Sequence, residues 1–123
     1  MKRVIFTVVT LAFLGLSINS AEAQTSVWDG TYTTWTNGTG TQTDPYLIET
    51  AQQLAYLAVY VNNGTGAVNY IVGSGKYWKL TTDVNLNSLS WTPVGYYNSE
   101  TDHYEFGGHF NGDNHIVVNL VTS

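Results

Sequence analysis

Apolar and polar residues alternate most regularly between positions 77 and 87. Trp78, Leu80, Val84 and Leu86 hold even positions, and Tyr77, Lys79, Thr81, Asp83, Asn85 and Asn87 hold odd ones. A period of two marks strand with one face buried, and Thr82, polar at an even position, marks an expected bend. Phe106 and Phe110, then Ile116, Val118 and Leu120, are expected to form a second inward face, broken by a turn at Asn111-Gly112-Asp113-Asn114. Between these stretches, Trp91-Thr92-Pro93-Val94-Gly95 reads as a short strand that Pro93 confines to an edge or a strand start. Tyr96 to Glu105 is polar and reads as a loop.

The period lengthens only once in the chain after residue 23. Leu54, Leu57, Ala58 and Val61 fall at i, i+3, i+4 and i+7, which predicts an amphipathic helix from about Ala51 to Asn62. Thr50 and Gln53 form a capping-box pair at its start, and Asn62-Asn63-Gly64 supplies a left-handed stop. Upstream, Tyr46 to Ile48 is expected to be extended after Pro45. Residues 24–45 read as one or two short strands or a wrapping loop, with turns at Asp29-Gly30 and Asn37-Gly38. One helix with one apolar stripe flanks a mainly β fold rather than forming a bundle.

Residues 1–23 stand apart from this pattern. Lys2 and Arg3 precede the apolar run Val4–Leu16, and Ala21-Glu22-Ala23 is a small-x-small site, so a signal peptide cleaved before Gln24 is expected. The run is too short for a spanning helix and nothing later is apolar enough, so no integral membrane protein is expected. The expected destination is extracellular, cell-surface or periplasmic. Cleavage removes Lys2, Arg3 and Glu22 from a whole-chain balance of four basic and nine acidic residues, leaving two lysines against eight acids, net −6, with no arginine. Such a surface argues against nucleic acid as a partner, because phosphate backbones demand basic residues. There is no cysteine, so neither disulfides nor a lipid attachment site can form, and packing and backbone pairing must hold the domain together.

Several segments occur in a fixed order. They are Trp-Asp-Gly at 28–30, Gly-Thr-Gln-Thr-Asp-Pro-Tyr-Leu-Ile at 40–48, Ala-Gln-Gln-Leu-Ala-Tyr-Leu-Ala at 51–58, Tyr-Trp-Lys-Leu-Thr-Thr-Asp-Val-Asn-Leu at 77–86, Trp-Thr-Pro-Val-Gly at 91–95 and Phe-Gly-Gly-His-Phe-Asn-Gly-Asp-Asn-His-Ile-Val-Val-Asn-Leu at 106–120. This series resembles the N-terminal region of secreted GLUG-motif proteins, large surface or secreted proteins of Bacteroidetes type. The resemblance implies the start of a right-handed parallel β-helix with the helix at 51–62 packed near its beginning, and a role in adhesion. A small β-sandwich is the alternative fold. Two departures stand out: the GLUG repeats that would follow residue 120 are absent, and Asn114 replaces a glycine in the last turn. Asparagine tolerates the left-handed conformation, so that turn is expected to survive. Residues 24–123 are accordingly expected to be the N-terminal module of a longer solenoid, with a terminal strand edge that invites pairing.

Candidate chemistry is sparse, and no catalytic residue, metal site or cofactor is expected. Asp83 and Asp113 are the pair a glycosidase would need if they faced one sugar bond across neighbouring strands, but with no arginine after the signal and scattered acids a lyase or glycosidase is the alternative reading only. His103, His109 and His115 recur every six residues without a carboxylate at a ligand spacing. Asp83, Asn85 and Asn87 share one strand face and could offer oxygen ligands to calcium, although an asparagine ladder needs no ion. The strongest functional signal is aromatic excess. Trp28, Trp78 and Trp91 are expected to fill a core, whereas Tyr96, Tyr97 and Tyr104 lie in the polar segment and are the candidate ligand contacts. The expectation is a non-catalytic exported binding or adhesion module for an extracellular glycan or surface protein, with a structural cap of a truncated solenoid as a further alternative.

Overall fold

In the computed structural model, which describes residues 24–122, the alternation at 77–87 becomes two strands joined at a bend. The expected signal peptide at 1–23 lies outside the described residues. The elements in chain order are β1 (Thr25–Val27), β2 (Tyr46–Ile48), α1 (Ala51–Asn62), β3 (Ile71–Val72), β4 (Tyr77–Leu80), β5 (Asp83–Asn85), β6 (Tyr96–Ser99), β7 (Asp102–Phe106), β8 (His109–Asn111) and β9 (Val117–Val118). Among the described residues the fold is mainly β with one helix, and no helix is long and apolar enough to cross a membrane.

The strands form three sheets ordered β1-β5-β9, β2-β4-β8 and β3-β7-β6, and every pairing is parallel except β6 with β7. Tyr46 pairs with Trp78 and Trp78 with Phe110, each thirty-two positions on. In-register parallel pairing keeps side chains of one column on one face, so the even-numbered residues of β4 and β5 meet in a single core. Trp78, Leu80, Val84 and Leu86 are all at most 2% exposed, joined by Ile48, Val61 and Val72. Trp78 touches the rings of Trp35, Tyr46, Tyr60 and Phe106 at centroid distances of 5.4 to 5.9 Å.

The helix starts and ends as its sequence predicts, and its N-terminus ties the first third of the chain together. Thr50 Oγ1 accepts from the Gln53 N–H at 3.1 Å. The returning bond of the capping box lands one residue earlier, with Gln53 Oε1 accepting from the Glu49 N–H at 2.7 Å. Gln53 is buried, and its Nε2 donates to the Thr34 carbonyl at 3.2 Å. Ser26 Oγ on β1 accepts from the Ala51 N–H at 2.8 Å. Residues 28–45 thereby wrap against α1 as a loop. Gly38 in that loop has φ +90°, and a Cβ there would overlap the Pro45 carbonyl, so no other residue fits without moving the backbone.

Three expectations are corrected. Tyr96 to Glu105 is not a loop but most of the β6–β7 hairpin, because backbone pairing and aromatic cross-strand neighbours stabilise strands that have no continuous apolar face. Residues 91–95 form no strand, although the adjacent Ser90 bridges Val121. The Asn62 side chain takes the place of a strand partner, its Nδ2 donating to the Pro93 carbonyl at 3.0 Å and its Oδ1 accepting from the Gly95 N–H at 2.7 Å. Finally, Phe110, Ile116, Val118 and Leu120 are exposed rather than buried. Phe110 keeps the inward column of Trp78 and Val117 that of Val84, yet both are exposed, because among the described residues no further strand covers β8 or β9; one extra residue between β8 and β9 also moves Val118 into the outward column of Asn85. The turn itself survives as expected, with Asp113 and Asn114 at φ 50° and 62°.

Leu80→Ala is expected to cost about 2–5 kcal/mol of unfolding free energy by chemical denaturation, whereas Leu120→Ala, at a site 58% exposed, is expected to change it by less than about 0.5 kcal/mol. Equal losses at the two positions would contradict this placement of the core.

Candidate functional site

The tyrosines of the 96–104 segment do not act as a set. The hairpin reverses at Glu100-Thr101 and pairs Tyr96 with Tyr104 and Tyr97 with His103, with a register irregularity between Tyr97 and Ser99. Tyr97 is 66% exposed and Tyr96 is exposed on one edge. Tyr104 is half-buried, packs on the core and fills the space over Gly64, where a Cβ would strike its ring. The Asp102 carboxylate accepts from the Tyr96 hydroxyl at 2.9 Å and from Asn98 Nδ2 at 2.8 Å. The Asn98 amide, followed by the Tyr96 hydroxyl, holds the Asp102 carboxyl below the usual range, and the same bond pushes the Tyr96 phenol up. The outer face of the hairpin is extended by a residue that sequence reasoning missed. Tyr70, in the left-handed region at φ 67°, lies 4.3 Å from the His103 ring, which in turn lies 5.2 Å from Tyr97. No periodicity marks Tyr70, because its place depends on a tight turn before β3.

Asp83 and Asp113, the pair of the alternative enzyme reading, have separate structural partners. Asp83 Oδ1 accepts from the Ile116 N–H at 3.1 Å and lies 3.0 Å from His115 Nδ1. The Ile116 N–H first, and the His115 side chain second, hold the Asp83 carboxyl below the usual range. A depressed carboxyl suits an acceptor that clamps β5 to the strand segment after the last turn; it does not suit a general acid. Asp113 faces Lys79 Nζ at 3.7 Å, a half-exposed pair of little energetic weight. Asn85 Oδ1 accepts from the Asn87 N–H at 2.8 Å and from Asn119 Nδ2 at 2.9 Å, so this face is a side-chain ladder between neighbouring strands. The histidines are dispersed: His103 is in the hairpin, His109 is stacked on Tyr77 at 4.3 Å, and His115 is on Asp83. Among the described residues no three histidine, aspartate or glutamate side chains converge on one point.

A cavity of about 330 Å³ opens between the loop after β1, one face of α1 and residues 90–92. Its aromatic wall is Trp28 and Trp91, edge to face at 5.2 Å and 69°. Trp28 is buried as expected, and its Nε1 donates to the Thr31 carbonyl at 2.7 Å; Trp91 is only half-buried and presents itself to the cavity. Asp29 Oδ1 accepts from the Thr31 N–H at 3.0 Å and hydroxyl at 2.7 Å, closing a tight turn that sets Thr31 and Tyr32 at the mouth. Tyr32 is exposed and stacks on Tyr56 at 5.9 Å. No charged side chain lines this cavity. A second concavity of about 520 Å³ passes Gln42, Tyr77, Lys79 and His109 on the outer face of β4 and β8. Aromatic excess pointed to binding in general, but nothing in the sequence brings Trp28, α1 and Trp91 together. No protein family, no curated protein and no solved structure matches the chain.

The Asp83 clamp predicts a pH effect with a definite sign. A carboxyl whose folded pKa is depressed stabilises the fold fully above its unfolded value, near 3.9, and that stabilisation is lost as pH falls through the folded pKa. Asp83→Asn is expected to lower the thermal midpoint at neutral pH and to flatten its fall below about pH 4 relative to the parent chain. Parallel acid limbs for the two proteins would show that the clamp contributes nothing.

Proposed function

We propose that this chain is an exported, non-catalytic binding module whose contact surface for an extracellular glycan or surface protein is the outer side of the β6–β7 hairpin. The observation that carries this reading is Tyr97, a large aromatic side chain 66% exposed on a strand that is braced from the other side by Tyr104 and by Asp102. Aromatic rings held rigid at a surface give contact area at little conformational cost and dominate many interfaces. His103 and Tyr70 extend the same strip. The separate engagement of Asp83 and Asp113 weighs against the glycan-active enzyme as the alternative. For the fold, four in-register parallel pairings at intervals of thirty-two to thirty-four residues, beside the β1–β5 pairing whose longer interval contains the wrapping loop and α1, support the start of a parallel β-helix over a β-sandwich, whose sheets are antiparallel. This agrees with the resemblance to the N-terminal region of GLUG-motif surface proteins.

A second reading, the cap of a solenoid, is favoured by one observation. Among the described residues the column Tyr46–Trp78–Phe110 ends on a ring 42% exposed, and β8 and β9 each have a strand partner on one side only. On the third sheet, β6 covers the outer edge of β7, so a further coil would find two free edges and one occupied.

Two measurements separate these readings. On a printed array of neutral and acidic glycans and of extracellular-matrix proteins, the purified chain is expected to bind a ligand that Tyr97→Ala loses, with its thermal midpoint unchanged; a chain that binds nothing on the array refutes the binding module. In sedimentation velocity, the solenoid cap predicts concentration-dependent association that Phe110→Lys abolishes, and a chain that stays monomeric at every concentration refutes the cap.

A further inference from the structure

We infer that the cavity between Trp28, Trp91 and α1 is a subsite for one residue of a neutral saccharide, separate from the hairpin surface. This inference rests on the binding-module reading and goes beyond it in naming a site and a ligand class.

The walls and the rim of the cavity call for different chemistry. Trp28 and Trp91 supply an aromatic wall, and Ala55, Ala58 and Val59 on α1 supply an aliphatic one. A volume of about 330 Å³ is at the small end of the range for small-molecule sites. The mouth is polar and uncharged. Asn63 and Thr92 are exposed there, and their side chains make no hydrogen bond to other described residues. Thr31 spends its hydroxyl proton on Asp29 and keeps lone pairs for an incoming donor. A pyranose ring matches both parts, having a C–H face for the Trp91 indole, which the buried Trp28 backs edge to face, and equatorial hydroxyls for an amide and two threonines.

Charge narrows the class further. A phosphate, sulfate or uronate would enter a site with no cation in its lining, and both lysines of the described residues lie on or beside β4 rather than at this cavity. Burying an anion without a partner is costly. A purely apolar ligand would strip water from Asn63 and Thr92 with nothing in return.

The wall is also held in place before any ligand arrives. Asn62 fixes residues 93–95 through both ends of its amide, and the Trp28 indole is pinned to Thr31. Such preorganisation lowers the ordering cost of binding.

The test is isothermal titration of the purified chain with cellotetraose, xylotetraose, mannotetraose and maltotetraose, and with trigalacturonate as the acidic control. One neutral oligosaccharide is expected to bind and to shift the Trp91 indole N–H resonance. Thr92→Phe, which fills the mouth from an exposed position, is expected to weaken binding about tenfold or more, and Trp91→Ala similarly, while Trp91→Phe retains part of the affinity. Tyr97→Ala is expected to leave this binding unchanged. Thermal midpoints of all variants identify any that fail through folding, and Thr92→Phe keeps the test open if Trp91→Ala does so. Binding lost in Tyr97→Ala but kept in Thr92→Phe overturns the subsite and leaves the hairpin reading standing. Preference for trigalacturonate overturns the neutral class. Absence of binding to all the neutral oligosaccharides overturns the subsite, and the array measurement then decides the binding module by itself.

Discussion

The parallel register that sets Trp78 between Tyr46 and Phe110 is the constraint on which the other features depend. Once Trp78 is fixed in that column, the alternation of β4 and β5 sends Leu80, Val84 and Leu86 to the same interior, and Trp35, Tyr60 and Phe106 close around the indole. The outward residues of the same strands are then lined up with their neighbours as well. Tyr77 stacks on His109, and Lys79 comes within reach of Asp113. With no cysteine available, this repeated backbone pairing ties together distant parts of the chain, as disulfides do in many other small domains.

Polar side chains complete what pairing leaves unsatisfied, and this is where the surface features come from. Gln53 is buried only because its amide serves Glu49 and Thr34 and its carbonyl accepts the Trp35 indole, so the wrapping loop is held to α1 by hydrogen bonds as much as by packing. Asn62 does the same for residues 93–95 at the other end of the helix. The cavity beside Trp91 lies between two irregular segments, the loop after β1 and residues 90–92, against α1, and Asn62 at its edge holds the residues that follow Thr92. Asp83 serves the last turn in a similar way, which turns a residue of catalytic type into a clamp.

Aromatic residues divide between two roles on physical grounds. Rings whose columns lie between other strands are buried, as Trp78 is; rings on a hairpin that pairs with one neighbour have water on the far side, as Tyr97 has. Tyr104 shows that chain position alone does not assign the role, since it faces inward from the same hairpin and fills the space that Gly64 leaves open. The proposed contact strip and the proposed saccharide subsite are therefore distinct surfaces, one built on a two-stranded hairpin and the other on a helix and two loops.

Local pattern was legible wherever the backbone itself imposes it. The helix at 51–62 followed from a 3.6-residue stripe and its caps, β4 and β5 from strict alternation, and the last turn from residues that accept positive φ, because each of these depends on neighbours a few positions away. The polar hairpin was missed because its stability comes from cross-strand pairs, and residues 91–95 because their partner is a side chain some thirty positions earlier. The inward face at 116–120 was misread because β9 is the last strand of its sheet, with even its inward Val117 exposed, and because one added residue between β8 and β9 shifts parity, which shows only when strands from different parts of the chain are laid side by side. By itself, then, the sequence determined the helix, the alternating central strands with their apolar core, and the net acidic, aromatic-rich composition. Which aromatics face water, which carboxylates are spent on structure and where a cavity opens were decided only by the tertiary structure, because register and side-chain satisfaction act between residues that the chain order keeps apart.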